Sequence, residues 1–360
     1  METLSAANTS FAVDFFKHLC KTQTNTNVLF SPWSISSVMA TLYSGAKGHT
    51  AEQIAKVSFD LILTERFEKK TGFAVTITNW SKCYNWKPKI KRSSHKDLQI
   101  NLHNIHSRFQ ALNQEINKST KNVLLSNVNQ LYGDKSVSFQ RVSVTLVLKY
   151  YKVEPQTVNF QETADDARKE INEWVEQQTA GKFQIFGQAF IKKLAFLTLS
   201  LTIFYSMQHA YTLPDDHHDD STGLEMLENK LTYEAFSKWT SPKEMEEVEA
   251  NVHLPKMQLN IHYELKPLLT NMGITDAFNA EMADFTGVSA ESNLGVSQIF
   301  HKCFVDINEE GTEAAASTAG SIDGRSDQGA ILFAADHPFL FFIRHNKTKN
   351  ILFWGKFCSP

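Results

Sequence analysis

The chain is poor in the features that announce chemistry. Its four cysteines, Cys20, Cys83, Cys303 and Cys358, are far apart and form no CxxC pair, which excludes a built-in zinc site or disulfide framework and suits a reducing compartment. No HExxH, GxSxG or Walker-type GxxxxGK occurs, and its His, Ser and Asp residues show no triad-like placement, so an enzyme is not expected. The uncharged run Leu194 to Met207 is 14 residues long, short of the roughly 20 that span a bilayer. Met1-Glu-Thr-Leu-Ser-Ala-Ala-Asn lacks a basic stretch followed by an apolar one. A cytoplasmic protein is therefore expected, with any extracellular fraction leaving by a route without a cleaved signal peptide. With 36 basic and 39 acidic side chains, no bulk field favours nucleic acid or anionic membrane. Asp215-Asp-His-His-Asp-Asp220 has metal-ligand types, but adjacent residues seldom converge on one ion, so it reads as a polar turn; neither metal nor cofactor is expected.

What is present is core-forming material: 42% hydrophobic and 11% aromatic residues over 360 positions, enough to bury a large interior. Phe11, Phe15 and Leu19 recur at helical spacing. Ser31-Pro32 reads as an N-cap and first helical residue, with Gly45 as the stop. Thr50 and Gln53 are spaced as a capping box for a short third helix. Thr163 opens another, with Ala167, Ile171, Trp174 and Val175 on one face and Gly181 as its end. Residues 61–97 follow no regular period. Their lysines and aromatics, Lys87 to Lys96 above all, could meet a polyanion, though a solvated inter-helix loop is the expectation. Farther on, Val248–Leu254, Gly295–Asn308, Ile331–Phe333, Phe339–Ile343 and Ile351–Phe357 read as strands and Tyr263–Met272 as a helix. Helices early and strands late give an α+β fold.

One segment suits two incompatible states. Residues 309 to 326 run Glu-Glu-Gly-Thr-Glu-Ala-Ala-Ala-Ser-Thr-Ala-Gly-Ser-Ile-Asp-Gly-Arg-Ser. Gly311 supplies a backbone hinge. Thr312, Ala314, Ala316 and Thr318, two apart, share one face when the chain is extended; all are small and uncharged, and no proline interrupts the backbone donors. Glu313 lies on the other face. As a loop, the same segment offers Arg325 between Gly324 and Ser326.

This hinge and the later Phe333-Ala-Ala-Asp-His-Pro-Phe-Leu-Phe-Phe-Ile343 resemble a serpin reactive loop and C-terminal signature. Asn27-Val-Leu-Phe-Ser-Pro-Trp-Ser-Ile-Ser-Ser, Val158-Asn-Phe-Gln and the Cys-Ser-Pro ending extend the likeness to the ovalbumin-like (clade B) branch. The resemblance implies a single domain over 1–360, with helices around a main antiparallel sheet A and smaller sheets B and C, most often monomeric. It implies an inhibitor whose Arg325–Ser326 bond baits a trypsin-like serine protease, such as a plasminogen activator. The hinge Glu309, Glu310, Gly311, Thr312, Glu313, Ala314, Ala315, Ala316, Ser317 and Thr318 would then insert into the main sheet. Ser31, Ser34 and His301 match the family's gating cluster beneath that sheet. A non-inhibitory form, cleaved as a substrate or acting through protein contacts, is the alternative.

The pattern breaks at about 186–212. The family's Asn-Ala-x-Tyr-Phe-Lys-Gly-x-Trp strand, which lines one wall of the slot, is absent, and about thirty residues are too few for the strands expected there. The fold should thus be incomplete in its central strands. Leu197, Leu199, Leu201 and Ile203 alternate with Thr198, Ser200 and Thr202, which predicts a strand. Whether it replaces the missing wall is left open by the sequence, as is an altered exon.

Overall fold

The computed structural model describes residues 2–71, 95–118, 125–179, 181, 183, 196–204, 209–212, 224–246, 248, 250–290, 293–307 and 331–360. The N-terminal half is mainly helical: α1 (Glu2–Cys20), β1 (Val28–Phe30), α2 (Pro32–Gly45), α3 (Gly48–Thr71), α4 (His95–Lys118), β2 (Leu125–Asp134), α5 (Arg141–Tyr151), β3 (Gln156–Val158) and α6 (Ala164–Gln178). Then follow β4 (Phe196–Phe204), β5 (His209–Thr212), α7 (Leu224–Lys230), α8 (Tyr233–Trp239), β6 (Ala250–His253), β7 (Met257–Glu264), α9 (Leu265–Asn271), β8 (Gln298–Ile307), β9 (Ile331–Ala334), β10 (Phe339–His345) and β11 (Asn350–Phe357).

Local chemistry sets these elements. Ser31 caps α2, its Oγ accepting from the Ser34 N–H at 3.2 Å, and Pro32 takes the first turn, where a missing N–H loses nothing. Because α2 is apolar or small nearly all round, it is buried along almost its whole length. It runs through the interior rather than over it. On α6 the spaced Ala167, Ile171 and Val175 are buried, and Gly181 follows with φ 77, a conformation glycine adopts freely.

Three sheets form among the described strands. The main one has the order β3-β2-β4-β8-β7, a second β1-β11-β10-β5, and a ribbon pairs β6 with β9. The main sheet is mixed rather than antiparallel throughout, since β2–β3 and β4–β8 are parallel ladders. One core joins α1, α2 and the second sheet, including Phe15, Phe16, Phe30, Phe341 and Trp354; another lies between α6 and the main sheet.

Several sequence expectations change. The spacing of Thr50 and Gln53 does not make a capping box, because α3 already starts at Gly48. Instead the Thr50 hydroxyl accepts from the Asp284 N–H, and the Gln53 carbonyl accepts from Thr275 and Asp276 N–H, so these side chains stop a neighbouring turn. The supposed loop 61–97 is helical over 61–71, where it continues α3 past a break at Phe59, and again from His95; 72–94 lie outside the described residues. Tyr263 belongs to β7, and the helix there starts only at Leu265.

Candidate functional site: the seam between β4 and β8

The atypical segment does form a strand, and it lies at the centre of the main sheet. β4 pairs antiparallel with β2 from Leu125↔Phe204 to Gly133↔Phe196, and parallel with β8 from Leu197↔Gln298 to Phe204↔Val305. Its alternation explains the fit. Leu197 and Leu199, both fully buried, pack with Phe160, Ile171 and Val175 under α6. Thr198 and Ser200 take the opposite phase and are buried too, the latter against α2. On that polar face the Ser200 hydroxyl is satisfied, whereas the buried Thr198 hydroxyl bonds to no described residue.

A cluster of polar side chains ties the seam together. Ser200 on β4 stands directly opposite His301 on β8, and both are fully buried. The Ser31 N–H donates to His301 Nε2 at 2.9 Å, so that nitrogen is an acceptor and Nδ1 carries the proton. Nδ1 in turn lies 3.1 Å from the Ser200 carbonyl and 2.9 Å from its Oγ. Burial pushes the His301 pKa down to about 3, so the ring is neutral. Cys303 Sγ sits 3.0 Å from Nε2 and is itself fully buried.

The Ser34 hydroxyl is the second node. It approaches Ser200 Oγ at 2.7 Å, Asn127 Oδ1 at 2.7 Å and Asn129 Oδ1 at 3.1 Å. One hydroxyl has one proton to give, so it cannot satisfy both carbonyls; one of the two amides turns its NH2 toward Ser34 instead. The cluster thus links α2, β2, β4 and β8. It brings Ser31, Ser34 and His301 together and adds Ser200, Asn127 and Asn129, which the sequence reading missed. Two weak signals were there: Ser200 in the polar phase of the alternating run, and Asn127-Val-Asn129 spaced to share a strand face.

The hinge Glu309 to Thr318 and the Arg325–Ser326 bond lie outside the described residues. The fold fixes their two ends, since the chain leaves the main sheet at Ile307 and returns at Ile331 beside β6. No group of three metal-ligating side chains occurs among the described residues, and Asp215 to Asp220 lie outside them.

The family model described as Serpin (serine protease inhibitor) matches residues 6–208 and 192–360. The chain is a serpin. As a family, serpins inhibit proteases rather than catalyse, so a protease is the class of partner. Human plasminogen activator inhibitor 2 is 40% identical over 423 aligned positions covering all of both chains, and human Serpin B10 37% over 417. Since this serpin has 360 residues, those relatives carry positions it lacks. Solved structures agree on the clade B type: uncleaved ovalbumin superposes with TM-score 0.76 at 27% identity, covering 99% of this chain and all of that one. A tumour-suppressing serpin gives 0.74 at 26%, covering all of both.

Proposed function

We propose that this serpin inhibits a trypsin-like serine protease of the plasminogen-activator type, presenting Arg325–Ser326 as bait and drawing residues 309–318 into the seam between β4 and β8. The observation that carries this reading is β4 itself, which supplies the wall that the sequence pattern had left in doubt. Topology supports the rest. β8 ends at Ile307, just before the hinge, so a segment folding back from it runs antiparallel to β8 and, because β4 and β8 are parallel, to β4 as well. One slanted parallel ladder becomes two antiparallel ones. Thr312, Ala314, Ala316 and Thr318 would present a small, uncharged face to the interior. The relative's name adds the protease class, and an arginine before the scissile bond suits a carboxylate-based specificity pocket.

A second reading, a serpin cleaved as a substrate, has one observation in its favour. Residues 309–325 extended would span ~55 Å, whereas β4, nine residues long, offers ~30 Å of wall. Insertion limited to that length would displace a tethered protease less far. Incubation with urokinase or trypsin separates the readings. A covalent complex that survives denaturant supports the inhibitor, while quantitative cleavage after Arg325 with no complex at any enzyme ratio refutes it.

A further inference from the structure

The ribbon of β6 and β9 has an open side. Among the described strands β6 pairs only with β9, in parallel, from Ala250↔Ile331 to His253↔Ala334. The divergent segment gives β4 to the main sheet and β5 to the second, and neither reaches β6. The backbone phase identifies the spare groups. The His253 carbonyl accepts from the Ala335 N–H at 2.8 Å, so His253 and, two residues earlier, Asn251 direct their backbone groups toward β9. Ala250 and Val252 therefore turn their N–H and C=O groups outward, where no described strand meets them.

The side chains there are uncovered as well. Paired residues of a ladder share a face, so Ala250, Val252, Ile331 and Phe333 lie together. Phe333 packs against the main core, which makes this the inward face, yet Val252 and Ile331 are 55% and 56% exposed. The ribbon overhangs the core. A free edge of this kind recruits another strand unless proline or charge guards it, and Ala250-Asn-Val-His253 contains no proline, lysine or carboxylate. Charge selects the occupant. The chain entering β6, Glu244-Met-Glu-Glu-Val-Glu249, is acidic, and that leaving it, His253-Leu-Pro-Lys256, is basic. An antiparallel strand of the same polarity sets each end against its opposite, and a second copy of β6 is such a strand. The outward phase fixes the register. Because Ala250 and Val252 carry the free groups, Ala250 of one copy bonds to Val252 of the other and Asn251 meets its own equivalent on the two-fold axis. Glu246 then stands opposite Lys256, both on exposed chain.

We propose that two copies of this chain associate through their β6 edges in this register, joining the two ribbons into one sheet of order β9-β6-β6-β9. An edge of four residues makes a small interface, so the dimer is weak. The test is sedimentation equilibrium of the full chain from about 1 to about 300 μM, in reducing buffer so that no disulfide through Cys358 contributes. The average mass should climb from 40.8 kDa, that of one chain, toward twice that value. Val252→Lys, at a position already exposed, should weaken association at least about tenfold. Glu246→Lys should weaken it about threefold, and adding Lys256→Glu to that variant should restore it. Because Glu246 lies outside the strand, the charge exchange answers the question even if Val252→Lys does not fold. A mass of one chain at every concentration, association indifferent to Val252→Lys, or a charge exchange that restores nothing overturns the proposal. No protease is present, so the outcome is independent of the inhibitory reading.

Discussion

The neutral, buried His301 makes the stability of the seam depend on pH in a calculable way. In the unfolded chain its pKa is that of a free imidazole, 6.5, and in the folded protein burial holds it at about 3. Below pH 6.5 the unfolded state therefore binds the proton that the folded state refuses. Stability from this residue is complete above pH 6.5 and is lost as pH falls toward 3, at ~1.4 kcal/mol per unit. Between pH 7 and pH 5 the loss is ~2 kcal/mol. Protonation would also place a hydrogen on Nε2 facing the Ser31 N–H, against the N-cap of α2. Other groups titrate in that window: the exposed His49, whose pKa is raised chiefly by its hydrogen bond to Asp276, has the opposite sign, and the buried His345, lowered by burial, has the same one. The measurement is thus a difference. Urea unfolding of the parent and of His301→Gln at pH 7 and pH 5 should show the parent losing ~2 kcal/mol more than the variant. Equal losses in the two proteins would mean that His301 is already charged or solvated, and the account of a dry seam would fall.

Three further outcomes follow from the same geometry. Ser34→Ala removes the hydroxyl shared by Ser200, Asn127 and Asn129 and should destabilise by ~1–3 kcal/mol in urea unfolding; a change within error would show the cluster to be relaxed by water. Leu199→Ala opens a cavity under α6 and should cost about 2–5 kcal/mol, whereas the same change at the exposed Leu148 should be near neutral. Thr312→Arg places a guanidinium on the face that must enter the sheet, so gel analysis with trypsin should show cleavage after Arg325 replacing stable complex; undiminished complex would refute insertion through this register.

The helical half was legible because its signals are local. Phe11, Phe15 and Leu19, or Ala167, Ile171 and Val175, advertise a face within one element, and Ser31-Pro32 marks a start that needs no distant partner. Strand β2 was not, since Leu125-Ser-Asn-Val-Asn-Gln-Leu-Tyr-Gly-Asp134 mixes polar and apolar residues in a way that makes sense only once α2 lies on one side and β4 on its edge. Gln53 failed for the same reason: the capping-box spacing was correct, but tertiary partners at Thr275 and Asp276 outbid the local one. The site was half visible. Ser31, Ser34 and His301 stood in motifs with a family likeness, whereas Ser200 belonged to the segment where that likeness ends.

That a divergent segment takes the central place follows from how little a strand must supply. Its backbone pairs with both neighbours whatever the sequence, so identity is constrained only by the two faces. Leu197 and Leu199 fill the layer beneath α6, and any large aliphatic side chains of that spacing would do so. The other face is more demanding, because residue 200 lies between the buried, uncharged His301 and the Ser34 hydroxyl, where a small hydroxyl can bond to both and a large side chain has no room. Ser200 meets that requirement, and with Leu199 it fixes the register, since a slip by one residue would turn Leu199 toward α2 and Ser200 into the apolar layer. Ser200→Ala should therefore cost ~1 kcal/mol in urea unfolding, since His301 Nδ1 keeps the backbone carbonyl of residue 200 and Ser34 keeps Asn127 and Asn129; stability unchanged by that substitution would show that the hydroxyl adds nothing to the seam.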